Sequence, residues 1–391
     1  MTHHTHTTGQ LTLADNRVTL RGPADLADAL PYLLGFHPDD SIVLLGLHGP
    51  RGRLGGRIRT GIPSRPDTWP EAAEQLAACL AEGDGARGGK PDGAVLYLCQ
   101  DPVGGISARA VMERLRPLAQ RLRTACGARD VPVLEALYVA GRRFWSYCCP
   151  GGTCCGEEGT ALPRAGTSPM AAAAAYAGIR VHGSLRDMER RLAPLGGPVA
   201  TRQECALDQT AALLLPRMLG SPADAAAVRQ ETSRLLGRTL RRFRLAPDPK
   251  RPGEVERDAR DDCLLTSQTA AQLILGLQDR TTRDRAAEWM EGADAHPALR
   301  LWRALARRCV GAYQGYAAAP LTLAGWVSWS TGDETSARVA LGRALETDQE
   351  YVFAQLLYQA LNDGLSPEPL RRCMRQERAA RGLQKPSGGA L

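Results

Sequence analysis

Apolar positions in roughly the first 165 residues come in short runs, and from about Ser168 onwards they recur at helical spacing, so a change of period organises the chain. Residues 18–21 read as a short strand. Residues 42–47 are a compact, β-rich apolar run of the buried-strand kind, and 54–62 follow as its neighbour across a turn rich in glycine and proline. Between these runs the pattern turns helical. Gly22-Pro23 opens a helix over 24–34, because proline sits where a first-turn amide would have no partner anyway, and Gly35 stops it. A helix over 70–81, a Gly-rich stretch over 83–93 and a second buried strand over 94–99 come next. Val111, Leu115, Leu118 and Leu122 share one helix face, an apolar stripe suited to packing on a sheet. Residues 133–147 supply a last strand or strand pair. The order β-α-β-β-α-β-α-β predicts an α/β fold: an N-terminal mixed sheet covered by helices.

Beyond Ser168 strand-length runs nearly vanish, which predicts an all-helical C-terminal region. Ser184 and Asp187 resemble a capping pair for a helix ending near Leu195, and Gly196-Gly197-Pro198 closes it. Further helices are expected near 207–219, 223–243, 266–277 and 283–290, with 246–253 and its three prolines as a linker. Gly325, Ala337, Leu341 and Ala344 have the spacing of the small and apolar positions in a tetratricopeptide-like hairpin, and Thr331-Gly332-Asp333 supplies its turn. Only one copy is visible, with Leu321 and Gln349 at the aromatic and proline positions, whereas an independent solenoid needs about three. Trp326 and Trp329 on this hairpin read as core; an exposed pair would mark a binding face. The expected plan is a disordered start over 1–14, an α/β domain over 15–165 ending in a cysteine cluster and a helical subdomain over 166–245. A linker over 246–262, a helical, tetratricopeptide-like subdomain over 263–382 and a disordered tail over 383–391 complete it.

Composition narrows the function classes. The chain has 391 residues, 43% of them hydrophobic and 23% charged, enough apolar content to bury two or three cores and too much for a disordered chain. No apolar run reaches the roughly 18 residues needed to span a bilayer, so no membrane is expected. Residues 1–10 lack a basic region followed by an apolar stretch, so the expected compartment is cytoplasmic. Basic residues number 49 against 42 acidic ones, and three of the 49, Lys90, Lys250 and Lys385, are lysines. The arginine runs at 234–244 and 371–381 read as solvated helix faces, given the interleaved acids and 5% aromatic content, so nucleic acid is not the expected partner. No phosphate-binding loop, dinucleotide fingerprint or catalytic triad stands out.

Chemistry concentrates at two places. Four of the eleven cysteines fall within eight residues, Cys148-Cys149-Pro150-Gly151-Gly152-Thr153-Cys154-Cys155, where a tight turn brings the pairs together. Such sulfurs can stay buried as thiols, form one bridge, hold zinc or alternate between dithiol and disulfide. Zinc sites usually space their cysteines by two to four residues and no second ligand pair is visible nearby, so these readings stay open. The other place is Phe36-His37-Pro38-Asp39-Asp40-Ser41, a helix-to-strand turn that offers His37, Asp39, Asp40 and Ser41 to a pocket; these are also the residue types a turn needs for its own geometry.

Pro31-Tyr32-Leu33-Leu34-Gly35-Phe36 with Pro38 and Asp40-Ser41 is the first of three motifs. The second is Trp145-Ser146-Tyr147 with Cys149, Cys154-Cys155 and Glu158-Gly159, and the third is Gly332-Asp333 before Ala337 and Ala344-Leu345. Together they resemble the actinobacterial domain-of-unknown-function 4192 family over nearly the whole chain. The resemblance implies a cytoplasmic actinobacterial protein in a family without an assigned biochemical function. It matches the family's cysteines to Cys149, Cys154 and Cys155, places Cys148 where an apolar residue is usual, and puts His37 at a variable position. The leading expectation is a non-enzymatic scaffold or adaptor whose helical region binds a protein while the cysteine turn, with or without zinc, stiffens the junction. The rival is a thiol-dependent or redox enzyme using Cys149, Cys154 or Cys155 at the sheet edge, with the turn 36–41 lining its pocket.

Overall fold

Apolar runs without alternation make strands that are covered on both faces. In the computed structural model, which describes residues 9–13, 16–83, 89–149, 156–164, 166–179, 181–246 and 253–383, two such runs lie at the centre of a sheet. The sheet belongs to the first of two units, Met1–Leu185. Its strands are β1 (Gly9–Leu13), β2 (Asn16–Leu20), β3 (Ser41–His48), β4 (Arg53–Gly61), β5 (Gly93–Cys99), β6 (Val133–Ala140), β7 (Arg143–Ser146) and β8 (Thr160–Ala161). They are ordered β2-β1-β4-β3-β5-β6-β7-β8. β3 and β5 pair antiparallel, from Ser41 opposite Cys99 to Leu47 opposite Gly93. β5 and β6 run parallel, joined by helix α3 in a β-α-β crossover.

The helices of this unit are α1 (Pro23–Leu34), α2 (Trp69–Glu82), α3 (Ala108–Gly127) and α4 (Pro169–Tyr176). Ser107 caps α3 by accepting from the Ala110 amide at 3.2 Å, and its stripe of Val111, Leu115, Leu118 and Leu122 is buried against the sheet with α2. Each such side chain stabilises by roughly 1.5–3 kcal/mol. The buried Tyr97 hydroxyl donates to the Leu26 carbonyl of α1 at 3.0 Å. α4 packs on α1, which carries the unit to Leu185 rather than to the expected boundary at 165. The expected disordered start also changes: residues 9–13 are β1, because their backbone pairs with β2 from Gly9 opposite Leu20 to Leu13 opposite Asn16.

The second unit, Arg186–Leu391, is helical throughout its described residues. From α5 (Leu185–Arg190) it continues through α6 (Gly197–Met218), α7 (Pro222–Leu245), α8 (Glu254–Cys263), α9 (Ser267–Gly276), α10 (Arg280–Ala287) and α11 (Gly292–Arg307). It ends with α12 (Ala318–Ser330), α13 (Glu334–Thr347), α14 (Val352–Asn362) and α15 (Glu368–Leu383). α12 is buried at every position, as a helix apolar on all sides must be. Trp326 and Trp329 are therefore core; their rings meet edge to face at 5.9 Å, and the Trp326 indole donates to the Ala287 carbonyl at 2.9 Å.

Two expectations about this half do not match the structure. Residues on both sides of the proposed linker share one core, from Leu207 and Phe243 to Ile274, Trp302 and Leu341, so the half is not split into two subdomains. Within 246–262 the described part is mostly α8, whose Asp258, Asp261 and Asp262 receive Arg191, Arg300 and Arg307 at 2.8, 2.5 and 2.9 Å. Residues 247–252 lie outside the described residues. The arginine run at 371–381 is solvated in part: Arg372 and Arg378 are exposed, whereas Arg371 and Arg375 pair with Glu291 at 2.6 and 2.7 Å and Arg381 with Glu288.

Candidate functional site

The turn between α1 and β3 is built by backbone geometry. Gly35 adopts the left-handed conformation, φ 81°, that ends α1, and its amide donates to the Pro31 carbonyl. Asp40 stands at φ 40°, a conformation that aspartate tolerates better than most residues, and its carbonyl accepts the Ile62 amide at 2.8 Å. Residues 182–185 lie alongside: the His182 amide donates to Gly35 at 2.7 Å, the His37 amide to Gly183 at 3.2 Å and the Leu185 amide to His37 at 3.1 Å.

Because β3 is antiparallel to β5, this turn meets the carboxyl ends of β5 and β6, where open α/β sheets hold their ligands. The Gln100 amide donates to Asp40 at 3.0 Å while its oxygen accepts Arg114 at 2.5 Å. Ser41 donates to the Asp39 carbonyl at 2.5 Å and accepts Arg59 at 3.2 Å, and that guanidinium lies over the Phe36 ring. The Tyr138 hydroxyl donates to the Gln100 carbonyl at 2.7 Å, and the Gly141 amide to the Asp101 carboxylate at 2.7 Å. Partial burial lowers the His37 pKa, opposed by Asp39, with Arg142 adding to the lowering. Burial, reinforced by Asp39 and Asp101, holds the Cys99 thiol far above its ordinary value. The side chains of Ser41 and Gln100 are thus engaged in holding the sheet end together.

Gln100, Asp101, Arg114 and Tyr138 were not singled out by sequence. The available signal was a polar pair directly after a buried apolar run and before a crossover helix.

The cysteine turn stands elsewhere. The Tyr147 amide donates to the Ala136 carbonyl at 2.8 Å, which places Cys148 and Cys149 towards the amino end of β6. From Ala136 to Gly141 the strand advances about 16 Å, so the structure does not bring Cys149 to the turn over 36–41. Cys149 is disulfide-bonded, and every other described cysteine is a free thiol. In that state Cys149 has no thiolate to offer zinc. Cys154 and Cys155 lie outside the described residues. Burial raises the Cys148 thiol, and the buried Glu135 carboxylate, which accepts Ser146 at 2.7 Å, adds to the rise. Among the described residues no group of three or more His, Cys, Asp or Glu is placed to hold a metal ion.

The returning strand is fixed by Gly159, at φ 69°, whose missing Cβ would stand 2.4 Å from the Trp145 indole. Arg143 donates to the Glu158 and Gly159 carbonyls at 2.8 and 3.0 Å. The motif containing Trp145, Glu158 and Gly159 is therefore a packing device.

No helix of the described residues is long and apolar enough to cross a membrane. No curated protein and no solved structure matches the chain. Residues 23–368 match the family described as Domain of unknown function (DUF4192), and the chain belongs to that family.

Proposed function

We propose that this DUF4192 member is a non-enzymatic cytoplasmic adaptor whose helical second unit binds a protein. The observation that carries this reading is α14. Its Ala354, Leu357 and Leu361 are buried in the core, yet Val352 and Leu356, one turn apart on another side, are 63% and 60% exposed. A helix with an apolar stripe beyond its core face has more hydrophobic surface than its own unit covers, which suits a partner. α14 follows the hairpin of α12 and α13, where Gly325 nests against Leu341, and in this reading the three helices form a tetratricopeptide-like binding element.

For the rival thiol-enzyme reading, Cys149 is disulfide-bonded and in that state offers no thiolate, and Cys154 and Cys155 lie outside the described residues.

Site-specific photocrosslinking in the native host, from position 356 and from the exposed Leu134 of the first unit as control, tests the reading. One discrete protein adduct from 356, lost in Val352→Asp and absent from 134, is the expected result. No adduct, or the same adducts from both positions, overturns it.

A further inference from the structure

About half of the described arginines of the helical unit hold a carboxylate. On α7, Arg217's partner Glu231 lies outside the groove described next, and the same helix pairs Arg229 with Asp279 and Arg244 with Asp294. Arg238, Arg241 and Arg242 belong to the other half and stand together. They are exposed, and among the described residues their guanidinium groups make no hydrogen bond or ion pair. With Leu245 they stand at i, i+3, i+4 and i+7, so they share one helix face. The opposite face, with Val228, Leu236, Leu240 and Phe243, is in the core.

These four residues, with Ala246 and with Leu264 at the end of α8, line an open groove of about 510 Å³. Among the described residues its lining holds three cations and no anion, and on α8 the carboxylates Asp258, Asp261 and Asp262 are committed to Arg191, Arg300 and Arg307. Leu245 at its edge is 76% exposed. Attraction to the negative end of the helix dipole accounts for arginines in a last turn but not for an exposed leucine among them.

We propose that this groove binds an acidic segment of a partner polypeptide, carboxylates on the three guanidinium groups and an apolar side chain against Leu245 and Leu264. The fork of each guanidinium matches a carboxylate in two-point geometry. From Arg238 to Leu245 the helix rises about 10 Å, the reach of two turns of a docked helix or some three extended residues. Among the described residues the lining has no aromatic ring on which a base can stack, and its leucines add nothing for a phosphate backbone, so a peptide is favoured over nucleic acid. This surface shares no residue with the α14 stripe, so failure here leaves that reading standing.

Fluorescence anisotropy on the full chain tests the proposal. The probe is a labelled peptide of repeated Asp-Leu-Glu-Glu; the comparison probes are its Asn-Leu-Gln-Gln counterpart, a single-stranded DNA oligomer of equal charge and vesicles of phosphatidylglycerol. The acidic peptide is expected to bind in a salt-dependent way, and the amide counterpart is not. Replacing Arg238, Arg241 and Arg242 together by Gln is expected to weaken it at least about tenfold. The same change at the exposed Arg121, Arg280 and Arg372 leaves binding intact, and Leu245→Ser weakens the peptide but not the DNA. Absence of peptide binding, equal loss in both triple variants, or tighter binding of DNA or vesicles than of peptide overturns the proposal.

Discussion

Cys126 shows what burial does to a reactive atom. Enclosed on the inner side of α3, its thiol is pushed from 9.0 up to about 11, mainly by desolvation. Because the folded state holds that proton more tightly than the unfolded chain, the contribution to stability is complete at neutral pH and is lost as pH rises from 9.0 towards about 11. Cys99 and Cys309 shift the same way. We therefore expect a thiol reagent at pH 7.5 to label the exposed Cys79, Cys205, Cys263 and Cys373 in the native chain and to reach Cys99, Cys126 and Cys309 only after unfolding. Mass spectrometry of the labelled peptides checks this, and early labelling of Cys126 would count against it. At this scale the sequence was informative about apolar residues and misleading about charged ones. Arg307, 4% exposed, looks like surface in a linear reading; only the fold brings Asp258 and Asp262 to it.

Among the elements, the short apolar runs and the stripe of α3 were legible because period and burial coincide there. α8 was not, since its inward face is aspartate and its stability comes from arginines on α11 and on the segment before α6. α11 was missed for the matching reason: Arg300, Arg307 and the following Arg308 interrupt an otherwise apolar stripe, although Arg307 and Arg308 are themselves buried. The hairpin of α12 and α13 was read from its small residues, and their purpose is spatial. A Cβ on Gly325 would stand 2.6 Å from Cγ and 2.9 Å from Cδ2 of the fully buried Leu341. Gly325→Ala is therefore expected to lower stability by about 1–3 kcal/mol, despite the helix propensity gained. Chemical denaturation measures it, and a variant as stable as the wild type would show that the two helices can part without penalty.

At the scale of the whole molecule, the two main apolar clusters share no residue: one is formed by the sheet with α2 and α3, the other by helices from α6 to α14. Each unit then has what a domain needs to fold alone. Residues 1–185 and 186–391, expressed separately, are expected to give cooperative melts, with helical circular dichroism from the second; a fragment that folds only when mixed with the other would refute this. The boundary itself was placed too early in the linear reading because α4 looks like the start of the helical region. Alanine-rich helices give no hint of which core they will join, and α4 joins α1.

The backbone bonds between residues 182–185 and 35–37 give that boundary a mechanical meaning. They clip the departing strand of chain to the rim of the sheet, next to the Gln100 network, just before the second unit begins. A pull on the chain at residue 186 would load these backbone bonds before it reached α4 or α1.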